Sequence, residues 1–421
     1  MAHTLYWLTH DLRLDDNPAL LRAALGESLL LVYCVNPDWF VPGRLLSASM
    51  GAHRLQFLRE ALVGLSNSLN GIGQHLLILE ERPQIALARL VRQNAIQRLV
   101  CSSQFGMDEK CELQALAKNL PDLEIEEVDT YTLFNRQAID SINDGVLTTY
   151  SRFRRQAEKW EAMPVLPTPE RLPPPPKAVI RKEKMPPNFL AEQAASEKLI
   201  TGGERAAQEH LAQYFAGDLP LSYKAVRNEL DGFNNSSKMS SWLNMGCLSI
   251  RRLRWTVEDY ESKHGGNEST YWLFVELLWR EYFLWLALHI ESQLFSFHGA
   301  AAQPPMTKFQ QEKFECWCKG DTPYPLVNAC MRQLNRSGFL SNRGRQIAAS
   351  CFVNELAQDW RYGAAFFEQQ LVDYNVAVNW GNWQYIAGVG ADPRGGRHFN
   401  LKKQTELYDA NGEYRRRWAR S

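Results

Sequence analysis

Between residues 163 and 187 the chain carries Pro164, Pro167, Pro169, the run Pro173–Pro176 and Pro186-Pro187. Proline offers no backbone N–H and locks φ, so neither a packed helix nor a central strand survives that density. The segment reads as an extended surface connector, and it separates two regions of different pattern. Upstream, strand-like runs at Leu5–Leu8, Leu29–Val35, His75–Leu79, Arg98–Ser102 and Glu124–Val128 alternate with helical patterns. Those helices are expected at Pro18–Leu25, Ser47–Leu69, Pro83–Gln93 and Asp108–Leu120, with Pro18 and Pro83 in first turns and Gly26 at a C-cap. Such alternation predicts a doubly wound α/β domain on a parallel sheet over residues 1–130. Residues 131–203 form the connecting region. From 204 to 421 the pattern is helical almost throughout, without repeats. A length of 421 residues suits this two-domain plan.

The Asp11–Pro18 loop after the first strand contains no Gly-x-Gly, so the usual dinucleotide turn is absent there. Charge is balanced overall, 47 basic against 47 acidic residues, yet residues 1–130 hold 11 basic and 16 acidic side chains. The remainder is therefore modestly basic, compatible with a polyanion on that side. The eight cysteines are scattered and read as reduced intracellular thiols. Cys316 and Cys318 form a C-x-C with no second pair nearby, and no metal site is expected. Neither a leader nor an apolar run long enough for a bilayer is evident, which predicts a soluble cytoplasmic protein with no membrane partner.

Two segments carry the chemistry. Trp272–Ile290 is the most apolar stretch, yet Glu276, Trp279, Arg280 and Phe283 fall along one helical face. Glu276 there is either paired with Arg280 or turned toward a ligand. The second runs from Ser341 to Trp383. It opens Asn342-Arg-Gly-Arg-Gln-Ile-Ala-Ala-Ser, passes Asp359-Trp360 and ends Asp373-Tyr-Asn-Val-Ala-Val-Asn379-Trp-Gly-Asn-Trp383. Burying so many polar groups is costly unless each has a partner, which suggests a large polar and aromatic ligand.

Four blocks resemble the photolyase/cryptochrome family. They are Trp7-Leu-Thr-His-Asp-Leu-Arg-Leu-Asp-Asp-Asn-Pro18, Ser236-Ser-Lys-Met-Ser-Ser-Trp-Leu-Asn-Met-Gly-Cys-Leu-Ser249, Glu276-Leu-Leu-Trp-Arg-Glu281, and Asn342 to Trp383. The resemblance covers essentially the whole chain, in order. It implies an N-terminal α/β antenna domain and a C-terminal all-α domain that holds FAD. Tyr223, Ser236, Ser237, Lys238 and Ser240 would contact the FAD phosphates and ribitol, the helix start and the lysine favouring anions. Arg345 and Asp373 would form an ion pair beside the flavin ring, with Arg280 and Asn375 close by. Asn379 would lie at flavin N5, where asparagine is the photolyase-like choice. The implied reaction is light-driven electron transfer from reduced FAD to a cyclobutane pyrimidine dimer, with Glu276, Trp279 and Asn342 meeting the lesion and Glu276 and Asn342 also the flavin. A dimer must leave the duplex to reach such a site, at roughly a few kcal/mol of unstacking.

Asn342-Arg-Gly-Arg-Gln346, Asn379-Trp-Gly-Asn-Trp-Gln-Tyr385 and Gly388–Asn400 look most like the DASH cryptochromes. Gln346 and Tyr385 replace the methionine and tryptophan usual in duplex photolyases. That more polar pocket implies a preference for single-stranded DNA. Arg227, Arg343, Arg394 and Arg397 are candidate backbone-phosphate contacts. Arg415–Arg420 reads as a charged helix end.

Three departures follow from the resemblance. Trp383 and Trp360 match two members of a three-tryptophan relay, but Thr307 stands at the third position. Either Trp317 or Tyr362 substitutes, or photoreduction by external reductant is slow. Asn375 replaces a usual aspartate, removing a negative charge near the flavin. Lys238-Met-Ser-Ser241 lacks a usual proline. Gln104-Phe-Gly-Met-Asp-Glu109 resembles a folate-binding segment, implying methenyltetrahydrofolate as antenna with Asp108 and Glu109 as ligands. An acidic helix N-terminus explains the same two residues. The alternative function is a blue-light photoreceptor acting without repair. The absence of a long tail before Ser421 favours repair.

Overall fold

A computed structural model of the chain describes residues 3–45, 48–140, 145–176, 198–301, 303–390 and 396–419. Five strands, β1 (His3–Leu8), β2 (Ser28–Cys34), β3 (Leu76–Leu79), β4 (Arg98–Ser102) and β5 (Glu124–Val128), form one parallel sheet in the order β3-β2-β1-β4-β5. Residues on both faces of β2 are buried, as expected where helices cover a parallel sheet on two sides. The acidic β5 lies at the edge, where Arg98 and Arg22 pair with Glu126. Strand order reverses between β1 and β4, which opens a crevice at their C-terminal ends.

Helices fall close to expectation, Pro83–Gln93 in full and Pro18–Ala23 with Asn17 as its side-chain cap. The first of these stops at Ala23, so Gly26 is not its cap. The long helix starts at Ala52 rather than Ser47, which lies outside the described residues.

The loop Asp11–Pro18 does something else with its charge. Asp16 adopts φ +47° and receives Nε of Arg251 at 2.8 Å together with the Ser249 hydroxyl. Arg13 donates to the carbonyls of Gly246 (3.1 Å) and Thr130 (2.9 Å). Asp15 takes a bidentate pair from Arg252, at 2.9 and 2.7 Å. Gly246 sits at φ +71° against His10, whose carbonyl a Cβ would overlap. This loop is the clamp between sheet and helices, and one hydrophobic core runs continuously from Tyr6 and Leu8 into Trp242, Leu278 and Phe283.

The proline connector is extended, and it is anchored along its described part. The Leu29 N–H donates to the Pro174 carbonyl (3.0 Å), Gln74 to that of Pro173 (2.7 Å), and the Leu166 N–H to Asp16 (2.8 Å). Pro186-Pro187 lie outside the described residues. Ahead of it, the region assigned to connection contains helices Arg136–Asp140 and Tyr150–Ala157. Phe153 and Ala157 are fully buried there. The 23-residue helix Glu268–Ile290 is the axis of the second half, started by an Asn267/Thr270 capping box. Among the described residues no helix is long and apolar enough to cross a membrane, no metal-ligating cluster occurs, and all eight cysteines are free.

Candidate functional site

Asp373 organises the polar interior. Its Oδ2 accepts from the Ser240 hydroxyl at 2.7 Å and from Arg345 Nη2 at 2.9 Å. Its own carbonyl accepts from Asn244 Nδ2 at 2.6 Å. Its Oδ1 is buried without a hydrogen-bond partner in the protein. A carboxylate with one satisfied oxygen and one buried orphan is expensive unless a ligand supplies a donor.

Lys238 lies one step away. It is 5% exposed, with φ +57°, a conformation that costs a non-glycine residue roughly 1–2 kcal/mol. Its ammonium sits over the Phe339 ring at 4.6 Å, with the Gly232 carbonyl at 3.5 Å. Burial lowers its pKa to about 8. Ser236 accepts from the Lys238 N–H (3.3 Å), and the Ser237 carbonyl meets His210 at 2.8 Å. Ser236, Lys238 and Phe339 line a cavity of about 180 Å³. The helix that follows, Ser240–Met245, is only six residues long. Its dipole is therefore small, and the lysine, rather than the helix start, provides the positive charge expected here. Tyr223 is buried, and burial raises its hydroxyl pKa.

Arg280 turns inward. It donates to the Tyr131 carbonyl (2.7 Å), approaches Asn244 Oδ1 (3.4 Å) and lies 4.0 Å over the Tyr131 ring. Glu276 therefore does not pair with Arg280. Its partner is Arg227 at 2.8 Å, which also removes Arg227 from the free phosphate-binding arginines. The Glu276 side chain remains 30% exposed, and desolvation raises its pKa against the opposing charge of Arg227. Trp279, one turn on, is partly exposed, stacked on Tyr150 at 3.5 Å and edge-on to Tyr385 at 6.4 Å. Asn342 is exposed at the start of its helix and Gln346 half-buried one turn later.

Asn375 caps the helix Val376–Ala387 by accepting from the Val378 N–H. Its Nδ2 donates to the Tyr131 hydroxyl oxygen (3.0 Å), while that hydroxyl donates to the Asn244 carbonyl (2.6 Å). An aspartate cannot make the first of these bonds, so the substitution comes with a compensating hydrogen-bond chain. Asn379 is buried and donates to the Ala364 carbonyl at 2.9 Å. Tyr131, Asn244 and Tyr150 are the residues sequence reasoning missed. Tyr131 and Tyr150 join the site from far away in the chain with nothing local to mark them, whereas Asn244 lies within the Ser236–Ser249 block, on the same helix as Ser240.

The aromatic interior divides. Trp383 is 6.1 Å from Trp317, with Phe367 and Phe352 beside it, and Gly363 leaves room for its ring. Trp360 is 5.8 Å from Trp380. Tyr362 is half-buried and stacks on Phe309 at 3.8 Å. Thr307 brings no ring.

Among the surface arginines, Arg343 donates to Asn228 (3.1 Å) and lies over Tyr408 at 5.1 Å. Arg397 donates to the Tyr385 hydroxyl at 2.9 Å. Arg394 lies outside the described residues. Arg415 and Arg417 fold back onto Asp409 and Asp231.

A second cavity, about 750 Å³, opens at the crevice between β1 and β4. Glu109 is on its wall, with its carboxylate turned back over Gly106 at its own helix start, while Asp108 is exposed. That placement fits the acidic helix N-terminus. Glu112 beside them is raised to about 7 by burial and by the neighbouring Glu109 and Asp108.

Residues 4–176 match the model of DNA photolyase and residues 272–420 that of the FAD binding domain of DNA photolyase. The chain is 45% identical to the cryptochrome DASH of Idiomarina loihiensis over 99% of its own length and 92% of that protein. It is 43% identical to the cryptochrome DASH of Vibrio parahaemolyticus, over 98% and 92%. Among solved structures, the Synechocystis cryptochrome superposes with a TM-score of 0.93 at 35% identity, covering 99% of this chain and 88% of that one.

Proposed function

Because the chain belongs to the photolyase/cryptochrome family, with cryptochrome DASH relatives across nearly its full length, we propose that it repairs cyclobutane pyrimidine dimers in single-stranded DNA. The orphaned Asp373 Oδ1 and the buried lysine near it support an anionic cofactor with hydrogen-bond donors, as FAD is, and the small cavity at Ser236 and Lys238 has room for part of such a group. In this reading Lys238, Ser236, Ser237, Ser240 and Tyr223 hold its phosphates and ribitol. Asp373, Arg345, Arg280, Asn375 and Asn379 hold and polarise the ring region. Bound FAD, once reduced, supplies the light-driven electron that splits the dimer.

The observation that carries the lesion assignment is the contrast along one helix. Arg280 is sealed inside, while Glu276 and Trp279 stay partly open beside Tyr385. Glu276 accepts from the pyrimidine amide edge and Trp279 offers an aromatic face, with Asn342 and Gln346 as polar neighbours. Arg343 and Arg397 steer the strand through its phosphates. Trp383 and Trp360 carry electrons inward. The larger cavity houses an antenna, with methenyltetrahydrofolate and the pair Asp108 and Glu109 as the assignment to test. The boundaries 1–130, 131–203 and 204–421 stand as proposed domains, and a cytoplasmic location as the proposed compartment.

The deciding assay uses purified protein with reduced FAD, blue light and dimer-containing oligonucleotides, single-stranded beside duplex. Repair is expected on the single strand. Dimers left intact in both would leave the photoreceptor reading.

A further inference from the structure

Trp380 belongs to none of the roles assigned above. It is 4% exposed and stands one helical turn before Trp383 on the same helix. Its ring meets Trp360 edge-on at 5.8 Å. Its indole N–H donates to Glu368 Oε2 at 3.2 Å. Trp380, Glu368 and Tyr374 all line the 750 Å³ cavity.

The other tryptophans near the relay lack this arrangement. Trp360 donates to the Phe297 carbonyl (3.0 Å) and Trp317 to the Ala348 carbonyl (3.1 Å). A backbone carbonyl cannot take the proton that an oxidised, strongly acidic indole must shed, whereas a carboxylate can. Trp317 touches Trp383 but is fully buried, and among the described residues its other ring neighbours are phenylalanines, which are hard to oxidise. Tyr362 reaches Trp317 through Phe314 and then Phe352 or Phe366, so phenylalanine rings intervene on both routes.

We propose that Trp380 is the third member of the electron relay in this chain, replacing the ring absent at Thr307, and that Glu368 takes its proton. The inference rests on the flavin reading above. One electron passes from Trp380 to oxidised Trp360, and the indole proton moves to the Glu368 carboxylate. A neutral Trp380 radical and a protonated Glu368 remain. In protein without its antenna, a thiolate entering the cavity returns one electron and becomes a thiyl radical, while Glu368 returns the proton. Burial raises the Glu368 pKa, which strengthens it as a base. The relay therefore ends in a cavity wall instead of on the outer surface. Reductants too bulky for the cavity are therefore expected to photoreduce the flavin slowly.

The test is laser-flash absorption and electron paramagnetic resonance on protein loaded with oxidised FAD, without reductant. The unaltered protein should give a long-lived neutral tryptophanyl radical. Trp380→Phe should remove it and speed charge recombination at least tenfold. Trp380→Tyr should replace its signature with that of a tyrosyl radical. Glu368→Gln should retain the oxidation as a short-lived cation and abolish the solvent deuterium effect on its decay. Trp317→Phe and Tyr362→Phe should leave the signal unchanged. An unchanged radical in Trp380→Phe, at full FAD stoichiometry, overturns the proposal while Trp360→Phe still blocks charge separation. Should Trp360→Phe also leave the signal intact, the flavin relay itself falls and the branch with it.

Discussion

Two buried polar clusters in this molecule are built from the same materials and end differently. Around Asp16, the carboxylate, the Arg13 and Arg251 guanidiniums and Ser249 find partners within the protein. Around Asp373, a carboxylate, a guanidinium and a serine also meet, yet Asp373 Oδ1 and the nearby Ser241 hydroxyl are left without partners. The first cluster is closed and serves as a joint. The second leaves two buried polar atoms that the protein does not satisfy. Both look alike as lists of residues, and the orphaned atoms alone separate them.

That contrast can be broken by substitution. The largest effect is expected from Arg251→Met, which strands Asp16 without its buried partner and should cost about 3–5 kcal/mol of stability. Chemical denaturation would register the loss, with FAD affinity unchanged in the folded fraction. Asp373→Ala should show the reverse weighting. Loss of the ligand partner and of the Arg345 pair should weaken FAD binding about a hundredfold, close to 2.8 kcal/mol, and equilibrium titration of the apoprotein with FAD would measure it. A hundredfold loss in Arg251→Met instead would erase the distinction between joint and site.

Lys238→Met should weaken FAD binding about tenfold. The pH dependence follows from its lowered pKa of about 8 in the free protein. An anion bound beside Lys238 raises that pKa, so the lysine contribution is complete below about 8 and declines as pH rises past it. A flat profile from pH 6.5 to 9.5 in the unaltered protein would remove Lys238 from the site. Glu281 gives the opposite kind of test, in the core. It accepts from the Leu133 N–H and the Trp285 indole, and burial raises its pKa to about 7. A raised carboxyl pKa stabilises the fold below the unfolded value and loses that contribution as pH rises through about 7. Stability should therefore fall between about pH 4.5 and 7, and Glu281→Gln should flatten the fall. The smallest effect belongs to Asn375→Asp, which keeps the helix cap and loses the bond to Tyr131, about 1 kcal/mol. Thermal unfolding would register it, and a lower flavin potential in the variant would support the charge argument.

The α/β sheet was legible because its strands are apolar runs punctuated by turn residues, and β4 and β5 agree to the residue. The pair Arg345 and Asp373 was legible only through the family resemblance, residue matched to residue. The partner of Glu276 was not, since helical periodicity offered Arg280 and tertiary packing delivered Arg227 from another helix. Tyr131 was hidden for the same reason. A residue whose role is to join three distant segments has no neighbour in sequence to announce it. The anchored connector also escaped notice, because proline density reports missing N–H groups and says nothing about carbonyls, which Leu29 and Gln74 engage.

The clamp at Asp16 has a consequence for how the chain is made. Its partner Arg251 lies 235 residues downstream. At ribosomal speeds of roughly 5–20 residues per second, Asp16 waits on the order of 10–50 s for that guanidinium to be synthesised. Throughout that interval the sheet carries an unpaired acid on a face still open to water. The N-terminal half can therefore assemble early, but it becomes locked only after the helical half has emerged, and a truncated product would betray itself by that exposed charge.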